Sequence, residues 1–391
     1  MLNQSSTQSS TKIWNKNYII LLVVNTVAYL SFQILMPLIP VYGLEFTSSE
    51  SMIGILAAAI AVAALLFRPI SGVIADRFSR KKIIILMQFA TAIIIICYIY
   101  ASSIEVLIVT RFVQGLFFSL VSTVLTVSAI QTIPEDKMGH GIGIMGVSGI
   151  GSQAFAPAIG LYITENWGYT TMFVFVSIIA LLAGFLAFAI TLKNTPVPAT
   201  TKFSFKNVIA INVIGVSVIS LFFSMGNSVI ASFMVLFSFE RNIANIAMFF
   251  TIFAIVLVVT RVFFGKFVDK YPFQNITYFC AVLCIATLVI IATSHQFYTL
   301  AIAAVLMGFG YGLASPALQT EAVRRVSPEQ RGTAIATYYL FIDLSFIAGP
   351  IGMGYIAEFT GSYSTGFLMF CIPIIVAIPM AYAFSRKKKQ L

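Results

Sequence analysis

Residues 18–44 contain no charged side chain, and blocks of this kind recur along the whole chain. Residues 51–75 hold only Arg68, 83–104 no charge, 106–134 only Arg111, 138–164 only His140, and 166–192 no charge. After a polar break come 207–239, 242–265 with Arg261, 271–320 divided at Ser294-His295-Gln296, 332–357 with Asp343, and 359–385. A helix needs about 20 apolar residues to cross a bilayer, and these blocks, divided as described, supply twelve such segments. The runs are continuous rather than alternating, which excludes barrel strands. With 59% apolar and 9% charged residues, a soluble chain of this length would leave much apolar surface in water. The expectation is an all-α membrane protein with twelve transmembrane helices.

The basic residues orient the spans. With the N-terminus inside, 19 of the 23 Lys and Arg residues fall in inner segments, among them Lys12, Lys16, Arg77, Arg80, Lys81, Lys82, Lys137, Lys193, Arg324, Arg325 and Lys387. Arg241 alone falls outside, and the outer loops collect Glu45, Glu50, Glu105, Glu165, Glu240 and Glu358. Both termini are therefore expected in the cytoplasm of a cell-membrane protein. The net charge of +10 is read as a topology signal and an attraction to anionic lipid headgroups. The basic residues are scattered over short loops, so no nucleic-acid role is expected. Residues 1–17 form a cytoplasmic tail rich in Ser, Thr and Gln, and residues 386–391 a basic one.

An internal repeat organises the chain. Arg68-x3-Gly72-x3-Asp76-Arg77 returns as Arg261-x3-Gly265-x3-Asp269-Lys270, offset by 193 residues throughout. The same offset carries Gly115 onto Gly308 and Pro157 onto Pro350. The chain therefore reads as two pseudo-symmetric six-helix bundles, 18–192 and 207–385, joined by a cytoplasmic linker at 193–206. Six spans per repeat make the repeat parallel, with an axis along the membrane normal and a cavity expected between the halves near the midplane.

Three local motifs carry a family resemblance. The loop Gly72-Val-Ile-Ala-Asp76-Arg77-Phe-Ser-Arg80-Lys81-Lys82 resembles the signature loop of the major facilitator superfamily, with Ser79 where that family usually has a second glycine. Arg111-Phe-Val-Gln114-Gly115 is similar to the Arg-x-x-Gln-Gly motif of its proton-coupled members. Ala156-Pro157-Ala158-Ile159-Gly160 is similar to the Gly-Pro-x-x-Gly motif of its antiporters, with Ala in the first place. Together they look like a twelve-span drug/proton-antiporter-type exporter. The resemblance implies that Gly72, Asp76, Arg77, Gly265 and Asp269 act in gating, latching the halves on the cytoplasmic side. It also implies that spans 1, 4, 7 and 10 line the cavity, making Asn25, Gln33, Asn212 and Asn227 candidate substrate contacts. Interhelical hydrogen bonding is the competing account of those four.

Two charges stand out by depth. Arg111 enters from outside and lies about 9 Å deep at 1.5 Å per residue, where a charge is expected to face the bundle interior. Gln114 shares its face, and the pair is a candidate for proton coupling or for holding an anionic substrate group. Asp343 lies about 15 Å along its span, near the midplane, where burial favours the protonated carboxyl. It is a candidate proton carrier or a contact for a cationic substrate. Arg68 and Arg261 lie close to the cytoplasmic face and are expected to snorkel to the interface. Glu321 reads as a solvated loop charge beside Arg324 and Arg325.

Other chemistries find little support. Gly141-Ile-Gly143-Ile-Met-Gly146 fits a dinucleotide pattern, but no strand precedes it, so helix packing explains it better. No cofactor and no metal is expected: Cys280 and Cys284 sit one turn apart without His or carboxylate neighbours. Two histidines and no sizeable soluble loop argue against an enzyme. The leading expectation is a monomeric secondary transporter that exports a small organic molecule, a drug or a secreted metabolite such as a metal chelator, in exchange for protons. The alternative is an importer or facilitator of a sugar or similar nutrient on the same fold.

Overall fold

The computed structural model describes residues 14–134, 138–191, 209–327 and 330–387. The linker 193–206 and the outer parts of both tails lie outside the described residues. The helices are α1 Lys16–Gly43, α2 Glu50–Arg77, α3 Arg80–Cys97, α4 Ile104–Thr132 and α5 Met138–Ala187. They continue with α6 Ile214–Glu240, α7 Ala247–Lys270, α8 Phe273–Thr293 and α9 Phe297–Arg324, and end with α10 Arg331–Thr360, α11 Tyr363–Met369 and α12 Cys371–Lys387. Among the described residues there is no strand.

Among the described residues ten helices are long and apolar enough to cross a bilayer, and Ala247–Phe263 is a shorter apolar helix. The difference from the expected twelve has a second source in α5. Its 50 residues would extend about 75 Å at 1.5 Å per residue, more than twice the hydrocarbon thickness. Gly168 breaks it, with φ 78 and ψ 173, a backbone region that glycine enters without steric cost. The 193-residue offset carries Gly168 onto Gly361, which caps α10 with φ 68.

That offset relates several helix boundaries. Met138, where α5 starts, maps onto Arg331, where α10 starts; Arg77, ending α2, maps onto Lys270, ending α7. It also relates packing. A Cβ on Gly115 would lie 2.5 Å from the Ile60 carbonyl oxygen and 2.8 Å from the Ala63 Cβ. A Cβ on Gly308 would lie 3.1 Å from the Phe253 carbonyl oxygen and 2.6 Å from the Val256 Cβ. Residues 60 and 63 become 253 and 256 on adding 193, so α2 against α4 and α7 against α9 are one packing used twice. Small residues permit such close helix crossings in lipid, where packing rather than water exclusion holds helices together.

Large apolar side chains such as Leu66, Ile93, Phe185, Phe263 and Phe359 remain exposed around the bundle, as a lipid-facing surface requires. Cys280 and Cys284 are buried free thiols, and a Cβ on Gly310 would lie 2.9 Å from the Cys284 Sγ; they fill space between α8 and α9. Two opposite faces result. The terminal face carries the start of α1 and the ends of α2 and α12; the distal face carries the α1–α2 turn and the bends at Gly168 and Gly361.

Candidate functional site

The two halves meet along two seams, α2 against α10 and α5 against α7, with α1 also touching α6. Under the 193-residue offset α2 corresponds to α7 and the first part of α5 to α10, so the seams are pseudo-equivalent.

Along the first seam, nearer its terminal end, lies a charged pair. Arg68 of α2 donates from an Nη to one Asp343 oxygen at 3.0 Å, and its Nε sits 2.8 Å from the other, off the hydrogen-bond line. The Arg68 side chain keeps 38% of its surface and that of Asp343 17%. Tyr29 of α1 lies within electrostatic reach of both charges. The pair bridges the two halves and remains partly accessible. Arg68 was expected to snorkel to the near interface; instead it turns inward, because the carboxylate offers a partner that lipid headgroups cannot match in geometry. So the partner of Asp343 is Arg68.

Arg111 and Gln114 form a separate cluster inside the first half. Arg111 is 1% exposed and donates to the Gln114 Oε1 at 2.9 Å, with the Met36 sulfur 3.4 Å away. The Tyr98 hydroxyl donates to the same Gln114 oxygen at 2.7 Å. The Arg111 Nε has no hydrogen-bond partner. Among the described residues this arginine makes no ion pair with a carboxylate, which leaves a buried positive charge held only by dipoles. Beside it is a cavity of about 20 Å³ among α1, α3 and α4, lined by Ser31, Gln88, Thr91, Gln114 and Ser122 under the aromatic rings of Tyr29, Phe32 and Phe118. That is room for a water or two, and Gln88, 2% exposed, has its Nε2 unpartnered. Gln88 and Tyr98 escaped the sequence reading, although a glutamine in an otherwise apolar span was a usable signal.

The remaining candidates distribute as follows. Asn25 is buried and donates to the Ser148 hydroxyl at 2.8 Å, a bond between α1 and α5 that occupies its amide structurally. Gln33 is half-buried on α1, and Asn227 is buried on α6. Asn212 is exposed in the one-turn helix Ile211–Val213 that precedes α6, because that helix starts later than the apolar block does. Pro157 and Pro350 are buried at equivalent places in α5 and α10. Glu321, expected in a solvated loop, is 4% exposed and pairs with Arg325 at 3.0 Å.

The two faces differ in closure. On the distal face, Glu358 of α10 accepts hydrogen bonds from the Ser49 hydroxyl at 2.9 Å and the Ser51 N–H at 2.7 Å. The Tyr363 hydroxyl donates to Glu50, and the Tyr363 N–H to Glu240 at 3.1 Å. A Cβ on Gly54 would lie 2.5 Å from the Pro350 carbonyl oxygen and 3.1 Å from the Gly354 Cα, so backbone packs on backbone. On the terminal face nothing among the described residues lies within 4 Å of a Cβ placed on Gly72, and Arg77 is exposed. Asp76, Gly265 and Asp269 sit on α2 and α7, and their surroundings lie outside the described part of the structure. The distal face is shut along the α2–α10 seam.

Comparison with known proteins fits this architecture. The profile of the Major Facilitator Superfamily matches residues 21–294 and 213–391. An uncharacterized MFS-type transporter of Burkholderia mallei (strain SAVP1) is 26% identical over 340 residues, 84% of this chain and 82% of the relative. One from Methanocaldococcus jannaschii is 20% identical over 358 residues, 88% of this chain and 92% of the relative. Among solved structures, the nucleoside transporter NupG has a TM-score of 0.75 at 15% identity, covering 95% of this chain and 99% of that one. A bacterial homologue of the human lysosomal transporter Spinster, in an inward-facing and occupied conformation, has a TM-score of 0.74 at 15% identity, over 94% and 96%. The POT family transporter PepTSo reaches 0.76 at 10% identity, over 96% and 99%. The chain is a multi-pass transporter of the Major Facilitator Superfamily.

Proposed function

We propose that this transporter is a monomeric proton-coupled exporter of a small organic molecule, working by alternating access in the cell membrane with both termini cytoplasmic. The Arg68–Asp343 ion pair is the observation that carries the reading. It joins the two halves where they must move, and its acidic member titrates. A partly accessible pair of this kind contributes only about 1 kcal/mol, enough to change a two-state population about fivefold but too little to lock it. Protonating Asp343 removes the attraction, frees Arg68 and shifts the balance between conformations. Carboxylate and guanidinium, one on each half, couple proton binding to the rocking of the halves.

On this reading the terminal face is cytoplasmic, because the basic loops lie there, and the structure is the inward-facing state. In the outward-facing state the terminal face closes, and Gly72, Asp76 and Arg77, with Gly265 and Asp269 in the second half, form the latch. Arg111 and Gln114 keep a fixed positive field in the first half, which attracts an anionic group and opposes a second cation. Asn227 and Gln33 contribute hydrogen bonds to substrate.

Import on the same fold uses the same pair, and the nucleoside transporter among its structural neighbours is a reason to test nucleosides alongside drugs. Proteoliposomes of known orientation, loaded with a drug and metabolite panel and given an imposed pH gradient, decide both questions. Proton-driven movement from the terminal to the distal side supports export; movement the other way supports import. Asp343→Asn is expected to lose the pH dependence while inserting normally, and retention of full pH-driven transport removes the pair from the mechanism.

A further inference from the structure

The second seam holds a pocket where the first is zipped. Adding 193 to Ser49, Ser51 and Gly54 gives Asn242, Ala244 and Ala247; subtracting it from Gly354 and Glu358 gives Leu161 and Glu165. In the first seam these places hold the two packed glycines and the serine–Glu358 bonds. In the second, the corresponding residues line an opening of about 530 Å³ on the distal face, between α5 and the turn leading into α7. Alanine and leucine replace the glycines, so the backbones cannot approach, and Glu165 faces the gap with no ion pair among the described residues.

We propose that this pocket is a binding site for a small amphipathic organic cation, an ammonium group attached to an apolar body. Glu165 is the one charged side chain in its lining. Ser238 and Phe239, also in the lining, belong to the last turn of α6, whose carbonyls carry the negative end of the helix dipole and favour a cation. The neighbouring Arg241 does not neutralise the site: its guanidinium donates to the Ser364 hydroxyl at 2.6 Å and lies over the Phe237 ring. Asn242 and Asn245, both held at positive φ, offer amide oxygens, while Leu161, Ile243 and Ile246 supply an apolar wall. The volume suits a drug-sized ligand. Because the walls come from both halves, an occupant binds this conformation better than one in which the seam has moved, and so stabilises it.

The site is separate from the Arg68–Asp343 pair, so its test does not depend on proton coupling or on the direction of transport. Benzyltrimethylammonium is titrated by calorimetry into the purified full chain in maltoside micelles, which contain no ammonium lipid. Saturable binding is expected, weakened about tenfold in Glu165→Gln, where the loss of one partly desolvated charge contact corresponds to about 1.4 kcal/mol. Ala158→Trp, which fills the pocket, is expected to abolish it, with the thermal unfolding midpoint of each variant reporting that the fold is intact. The uncharged isostere neopentylbenzene should bind at least about tenfold more weakly than the cation. Added phosphatidylethanolamine separates the sources: competition with the probe means that a lipid headgroup fills the same ammonium site, and no competition means that the site serves free cations. Equal affinity in Glu165→Gln, equal affinity for the uncharged isostere, or no saturable binding at millimolar probe would each overturn the proposal.

Discussion

Gly54 and Gly354 occupy, in the α2–α10 seam, the places that Ala247 and Leu161 occupy in the α5–α7 seam. The two seams share ancestry in the repeat but not chemistry. The first has glycine backbones in contact, Glu358 bonded to the α2 N-terminus, and Asp343 facing Arg68. The second has bulkier side chains, a Glu165 with no ion pair among the described residues, and Ile150 at the place of Asp343. Arg261, the counterpart of Arg68, is left with its Nε buried and unpartnered. Duplication supplied two equal hinges, and divergence made one a titratable, tightly packed contact and the other a loosely filled groove. On the proposed mechanism, energy coupling and gating concentrate on one side of the pseudo-twofold axis.

The largest expected effect comes from removing the charge that distinguishes the seams. Asp343→Asn and Arg68→Ala should each reduce pH-driven transport in proteoliposomes by about tenfold or more, and the double variant should be no worse than either single one, as expected of groups acting as a pair. Additive losses would dissolve the pair as a unit.

Next comes the glycine contact. Gly354→Leu places a side chain where the Gly54 Cα lies 3.0 Å from the ideal Cβ, and overpacking of this kind costs about 1–3 kcal/mol. Spin-label distances across the distal face should lengthen in a larger fraction of molecules. Leu161→Ala, the matching change in the open seam, should leave that distribution in place; the same response in both would erase the distinction.

A smaller effect is expected at Glu358. Its carboxylate accepts two bonds from the α2 N-terminus, and Glu358→Gln, which removes the charge and keeps the shape, should lower the closed distal population by less than Gly354→Leu does in the same spin-label measurement. No change would mean that the glycine packing alone holds this face. The smallest effect belongs to Asn212→Ala. Exposed in the turn before α6, it should alter transport less than about twofold, and a large loss would restore it as a substrate contact.

Much of the architecture was legible because bilayers impose it. Uncharged blocks such as 83–104 and 166–192 have few alternatives to helices in lipid, and the 193-residue offset exposed the duplication before any contact was seen. The depth of Asp343 and Arg111 was also readable, since rise per residue converts sequence distance into ångströms. The pairing was not. Arg68 looked like an interfacial snorkeler because only its distance from the helix end is written in the sequence, whereas its neighbour belongs to a helix 275 residues away. Asn25 looked like a cavity residue, and its amide is used by Ser148.

The sequence by itself determined helicity, the repeat and which residues would be costly to bury, because these follow from local hydrophobicity and spacing. Tertiary structure decided who meets whom: Asp343 with Arg68, Gly54 with Gly354, and Glu165 with an open groove. Such contacts depend on how helices rotate and tilt against one another, and that is set by packing across both halves at once rather than by any single segment.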